Sequence, residues 1–317
     1  MKNKTGLVIA IALILLSALP LTPVSAKPAG AVKVQILAIN DFHGHLKPPT
    51  GSSGEIGAVP AGGAVINRKT GQVVHKAARN RIVDRTVAKD SAITDLIRKY
   101  DAVAAPLANR VMGAITADIT RSPSPAGESA LGDVIADGQL YATAGAGSGA
   151  AVVAFTNPGG IGADLVYLTG TGEGDGKVTY EEIFNTQPFV NNLVTMTLTG
   201  GQIHALLEQQ FKGCYGQTSD RILQVSAGFA YSWSPSGPAC DKVAMDSIRI
   251  RGAPINLKAS YRVTVNAFLA EGGDNFTILQ DGADRLVGVR DIDALAAYMK
   301  ALSPVAPGPQ DRITRLD

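Results

Sequence analysis

Six consecutive residues, Asn40-Asp41-Phe42-His43-Gly44-His45, place a carboxylate and an imidazole two positions apart. They follow Ala31–Ile39 (AVKVQILAI), an apolar, β-branched run that predicts a strand. Loops at strand ends hold ligands on a rigid base, so Asp41 and His43 can point into one site. A carboxylate can bridge two metal ions, and a neutral imidazole can bind one of them. The competing reading is a loop Asp and His that do no more than cap.

Two further residues stand out by their setting. Phe189, in Gln187-Pro188-Phe189, and Phe268, in Asn266-Ala267-Phe268, are two of eight phenylalanines, and both lie beside Gly- or Pro-rich turns rather than inside apolar runs. Taken alone they fit two core aromatics. Gly272-Gly273-Asp274 sets a carboxylate behind two glycines, a tripeptide that on its own reads as a hairpin turn.

The elements that must position these residues follow from periodicity. Residues 47–64 are packed with Gly, Pro and Ser and predict a loop. Ile66–Val83 predicts a hairpin turning at Lys69-Thr70-Gly71. Asp90–Ala102 carries Ile93, Leu96, Ile97 and Tyr100 on one helical stripe, with Asp90 as N-cap. Ser129–Thr143 predicts a second helix capped by Ser129, and Thr199 caps a third that runs to Gly213. Gly149–Thr156, Leu193–Leu198, Ile222–Trp233, Val243–Ile250 and Tyr261–Asn266 predict strands, and Ile292–Leu302 a closing amphipathic helix. Helices interleaved with strands, some joined by hairpin-length turns, give an α+β domain of mixed sheets and packed helices.

Composition narrows the function classes. With 45% apolar and 18% charged residues, the 317-residue chain is neither disordered, collagen-like nor a coiled coil. Lys2 and Lys4 precede an unbroken apolar run, Leu7–Leu16, and then Val24-Ser25-Ala26, the pattern of a cleavable secretory signal over residues 1–26. Ten apolar residues are too few for a bilayer that needs ~20. Without those two lysines the 29 Lys and Arg become 27, matching the 27 Asp and Glu. A neutral mature chain has no basic field for nucleic acid or an anionic membrane. The expectation is a soluble monomer, periplasmic or secreted. Cys214 and Cys240, an even count in an exported chain, favour a disulfide, since a metal site would want CxxC or CxxH spacing.

Several motifs together carry a resemblance. VQILAINDFHGHL is similar to the first motif of the calcineurin-like metallophosphatases. ESALGDVIAD, NPGGI, NTQPFVNNLVTMTLTG and NAFLAEGGDNF, in that order, resemble the C-terminal domain of the 5′-nucleotidase family, which includes the UDP-sugar hydrolases. The resemblance implies hydrolysis of nucleotide phosphomonoesters with divalent ions of the zinc, manganese or cobalt type, Asp41 and His43 being metal ligands. It also implies that Phe189 and Phe268 sandwich a nucleobase, that Asp274 accepts hydrogen bonds from ribose hydroxyls, that Asn191 contacts base or ribose, and that Asn157 shapes a turn on the phosphate side. The ligand is then a nucleotide or nucleoside.

The chain departs from the family in two places. A dinuclear site needs a second Asp, an Asn-His pair and two further histidines, yet no Asn-His and no Gly-His-x-His occur, and the histidines are His43, His45, His75 and His204. The 48 residues between Asp41 and Asp90 are too few for a two-sheet phosphatase domain. The expected organisation is a signal over residues 1–26, a metallophosphatase remnant over 27–89 with its junction near Gly63–Ile66, a connecting helix and linker over 90–112, and a substrate-binding domain over 113–317. Two-metal hydrolysis needs both ions clamped, so the remnant is expected to support little or none, leaving a non-catalytic nucleoside- or nucleotide-binding protein or an inactive remnant as alternatives. The NPGGI run also continues with Gly162 where the family has an arginine that grips negative charge; Arg121 is a candidate substitute.

Overall fold

The structure, a computed structural model, describes residues 88–168 and 174–316 in full and three earlier strands by their backbone. The signal over 1–26, Asp41, His43 and the turn at Lys69-Thr70-Gly71 lie outside the described residues. The chain divides into two compact units, one built on the three N-terminal strands and one holding everything from Asp84 onward.

In the first unit, β1 (Ala31–Leu37), β2 (Ala58–Asn67) and β3 (Val73–Ile82) form an antiparallel sheet in that order. The β2–β3 hairpin matches the expectation, but β2 begins well inside the stretch 47–64 expected as loop. Gly62 and Gly63 pair with β1 on one side and β3 on the other, which satisfies their backbone groups. Pro60 lies beyond the end of the β1 ladder, where a missing N–H is tolerated.

The second unit opens with α1 (Ser91–Ala108), whose N-cap Asp90 accepts from the Ile93 N–H at 3.0 Å. The helix runs past the expected Ala102 and through Pro106, and none of its residues is buried. The chain continues through β4 (Val111–Ala114), α2 (Ala130–Thr143), β5 (Val153–Thr156), β6 (Lys177–Thr179), α3 (Tyr180–Thr186), β7 (Asn192–Thr199) and α4 (Gly200–Glu208). It then forms β8 (Gln224–Val225), β9 (Phe229–Trp233), β10 (Arg249–Ile250), β11 (Ala253–Pro254), β12 (Ser260–Asn266), α5 (Ala267–Ala270), β13 (Ala283–Arg290), α6 (Asp291–Leu302) and β14 (Ile313–Arg315).

A mixed five-stranded sheet in the order β13-β7-β12-β5-β8 organises this unit, beside a four-stranded sheet β11-β10-β9-β14 and the pair β4-β6. β12 runs parallel to β5 and antiparallel to β7. Leu193, Val194, Thr195 and Met196 are buried in succession, so β7 is covered on both faces. Polar groups within this core are paired: the Thr264 hydroxyl lies 2.8 Å from those of both Thr143 on α2 and Thr195 on β7. Ser129 and Thr199 cap their helices as expected, and Thr199 and Gln202 form a reciprocal capping box.

Several further elements differ from the expectation. Ile222–Trp233 is two short strands, broken at Ser226-Ala227-Gly228, where Gly228 adopts φ +85°. Val243–Ile250 is broken by a 3-10 turn at Met245–Ser247, with only Arg249 and Ile250 in a strand. α4 stops at Glu208, ahead of Gly213, and Phe211 is buried from the turn that follows. β13 was not anticipated, because an exposed edge strand carrying Asp284, Arg285 and Arg290 lacks the apolar pattern of a buried one.

Candidate functional site

Parallel pairing of β5 with β12 brings their C-terminal ends to one edge of the central sheet, and antiparallel β7 begins at the same edge. The chain leaves β5 at Asn157 into a 3-10 turn, Pro158–Gly160. It leaves β12 at Asn266, the N-cap of α5, and enters β7 through Phe189, Val190 and Asn191. Asn157, Phe189, Asn191, Phe268 and Asp274, drawn from separate motifs, all line one cleft of about 230 Å³ together with Gly159, Gly160 and Asn266.

Exposure separates the two rings from the core. Phe189 is 47% and Phe268 46% exposed, whereas Phe155, Phe211, Phe229 and Phe276 are buried. Both half-exposed rings line the same cleft, where their π-faces are available for contact. The glycines beside Phe268 make room for its ring. Any Cβ on Gly273 would come within 2.5 Å of the Phe268 ring, so glycine there lets the turn pack against that side chain. Gly272 adopts φ +84°, a conformation that favours glycine.

The polar wall is a connected set. Asn266 Oδ1 accepts from the Leu269 N–H at 2.9 Å, capping α5, while its Nδ2 donates to Asn157 Oδ1 at 3.0 Å. Asn157 Nδ2 donates to Asp274 Oδ2 at 2.8 Å. Arg221 Nη1 donates to Asp274 Oδ1, also at 2.8 Å. Behind Asn191, its N–H donates to Asp291 Oδ2 at 3.2 Å and its carbonyl accepts from the Asp291 N–H at 2.8 Å. Burial pushes the Asp291 carboxyl up to about 6, against the pull of the backbone donors on its oxygens. Asn266 and Arg221 escaped sequence reasoning, although an Asn directly ahead of Ala267-Phe268-Leu269 is a capping signal.

Arg121 is not among the residues that line the cleft. Its Nη1 donates to the carbonyls of Ile161 at 3.1 Å and Gly162 at 2.8 Å, and its own N–H binds Asp164 Oδ1 at 2.9 Å. A Cβ on Gly162 would collide with the Asn185 carbonyl oxygen and press on Pro188. Among the described residues that line the cleft there is no lysine or arginine. His204 lies on α4 with Nε2 3.7 Å from Glu208 Oε1, away from this cleft. Among the described residues no three His, Cys, Asp or Glu side chains gather to hold a metal ion. Cys214 and Cys240 are joined by a disulfide with a Cα–Cα distance of 5.0 Å.

The match to the family model for the 5′-nucleotidase C-terminal domain runs over residues 108–281 and takes in the cleft with all its lining residues. The chain belongs to that family. It is 28% identical over 260 residues to a 5′-nucleotidase-related protein of Glossina morsitans morsitans, covering 78% of this chain and 45% of that protein. It is also 28% identical over 253 residues to an endonuclease, YhcR, of Bacillus subtilis, covering 78% of this chain and 19% of that one. In structure it is similar to a 5′-nucleotidase precursor of Thermus thermophilus, with a TM-score of 0.64 and 29% identity over 84% of this chain and 50% of the other. The chain therefore spans half or less of these relatives. The mixed-sheet α+β architecture expected from the sequence is the one shared with that neighbour.

Proposed function

We propose that this chain binds a nucleoside or nucleotide in the cleft, with the base between Phe189 and Phe268 and the ribose at Asp274. The observation that carries this reading is the meeting of two half-exposed phenylalanines, about 80 residues apart in sequence, on one cleft with a carboxylate at its side. Stacking suits the task, since every base has a π-face worth ~1–3 kcal/mol on an aromatic ring. Family membership supports a nucleotide ligand, and hydrolysis of nucleotide phosphomonoesters is the activity associated with 5′-nucleotidases.

Hydrolysis by this chain alone is not part of the proposal. Asp41 and His43 are the metal-ligand candidates in the sequence, and no Asn-His or Gly-His-x-His motif accompanies them. With manganese, zinc or cobalt in excess, AMP turnover should equal that of an Asp41→Ala control; a clear metal-dependent excess would restore the enzyme reading. Export, read from residues 1–26, is proposed alongside. Among the described residues no helix is long and apolar enough to cross a membrane.

Calorimetry with adenosine and AMP tests the binding reading. Micromolar to millimolar affinity is expected, with AMP binding little better than adenosine because no cation lines the described cleft. Binding of neither ligand would overturn it.

A further inference from the structure

Asp274 sits in an unusual piece of backbone. It adopts φ +53°, and Gly272 before it and Asn275 after it are also left-handed, at +84° and +66°. Asp and Asn are the non-glycine residues that best tolerate this region, but such a turn persists only where its surroundings fix it. Here one neighbouring segment does so at three points. Gln217 Nε2 donates to the Asp274 carbonyl at 3.0 Å, the Tyr215 carbonyl accepts from Asn275 Nδ2 at 3.2 Å, and Arg221 Nη1 reaches Asp274 Oδ1 at 2.8 Å. The same segment is tied down by the Cys214–Cys240 disulfide and by the Arg221 N–H, which donates to the Gln210 carbonyl at 2.7 Å.

Arg221 does not line the cleft, whereas Asp274 does. Its guanidinium meets the carboxylate through one nitrogen only, and its Nε is buried with no hydrogen-bond partner. With Asn157 on Oδ2 and Arg221 on Oδ1, the carboxylate is gripped on both oxygens, so its plane and charge are fixed before any ligand arrives. Each oxygen keeps a second lone pair for a ligand hydroxyl.

Resting on the nucleoside reading, we infer that Arg221 is a positioning residue for sugar recognition. Held by the disulfide-tied segment, it aims the Asp274 carboxylate at vicinal hydroxyls and so sets the preference for a ribonucleoside over one lacking those hydroxyls. It also offsets the carboxylate's charge, which lets a phosphorylated ligand approach the same wall.

The test compares adenosine with 2′,3′-dideoxyadenosine on the full chain by calorimetry. The parent should prefer adenosine by about tenfold or more, the scale of hydrogen bonds to a charged group. Arg221→Met should bring that ratio to within about twofold of unity while leaving dideoxyadenosine affinity unchanged, because the rings remain in place. Arg221→Gln is the second variant: its amide ends where the unbonded Nε sits, short of Asp274, so it should behave as Met does. Arg221→Lys, which keeps one charged donor, should restore most of the ratio. Asp274→Asn should lower the ratio as Arg221→Met does, and the double variant should lower it no further, since both act through one carboxylate. A ratio unchanged in Arg221→Met and Arg221→Gln, or equal loss of both ligands, overturns the inference while the clamp stands. Absence of adenosine binding in the parent overturns the nucleoside reading and this inference together.

Discussion

Asn157 and Asp274, 117 residues apart in sequence, meet through a 2.8 Å hydrogen bond from amide to carboxylate. That contact closes one wall of the cleft between the end of β5 and the turn after α5. It makes this wall a product of tertiary folding rather than of any single motif.

The rings should carry much of the affinity. Phe189→Ala and Phe268→Ala are each expected to weaken adenosine binding by ~1–3 kcal/mol. Because both rings are half-exposed, neither change should cost the several kcal/mol typical of a buried phenylalanine. Calorimetry paired with urea denaturation separates the two effects. Adenosine affinity indifferent to both substitutions would remove the clamp.

Restoring the arginine that the family carries after NPGGI should fail to restore phosphate binding. A side chain at Gly162 must displace the Asn185 carbonyl or Pro188. Gly162→Arg is therefore expected to destabilise the fold by ~1–3 kcal/mol, as overpacking does. The AMP-to-adenosine affinity ratio should remain near that of the parent. A Gly162→Arg protein of parental stability that binds AMP much more tightly would contradict this geometry.

The disulfide closes a loop with a sequence separation of 26. Replacing Cys214 and Cys240 by serine should lower stability by ~3–4 kcal/mol in the chain-entropy model. The loss is read from denaturant midpoints, and a midpoint equal to the parent's under oxidising conditions would show that the bridge constrains nothing.

Stability should fall as pH rises from about 4 toward 8. Asp133 is buried and neither of its carboxylate oxygens accepts a hydrogen bond. Burial pushes its carboxyl up to about 8; Arg312, 3.9 Å away, opposes the shift, while Glu128 and Asp137 add to it. A group whose folded pKa is raised holds its proton more tightly in the folded state, so folding weakens as the unfolded chain releases that proton. Asp291, at about 6, adds to the slope in the lower part of the range. Asp133→Asn should flatten the profile and stabilise the protein at pH 8, as measured by thermal melts across pH. A profile unchanged by Asp133→Asn would refute the assignment.

Much of the site was legible because its residues sit at element ends that the sequence marks. Asn157 follows an apolar strand and precedes Pro-Gly-Gly, and Phe268 follows a strand that ends in an Asn cap. The resemblance then assigned roles that composition could not. Arg221 was illegible because its partner is 53 residues away and nothing in Asp220-Arg221-Ile222 marks that direction. β2 was misread for a related reason: its Gly and Ala residues carry little strand pattern, and it is paired along the backbone with two neighbours. Gly162 looked like a lost function, yet its surroundings show a backbone that has closed around it.

Asn266 both caps α5 and anchors Asn157. A helix of four residues has no standing of its own, so α5 depends on the burial of Leu269 and Ala270 and on that cap. An opening that displaces the Asn266 side chain therefore frees the Leu269 amide and breaks the cleft's polar wall together. The exchange rate of that single amide proton then reports how often the cleft comes apart.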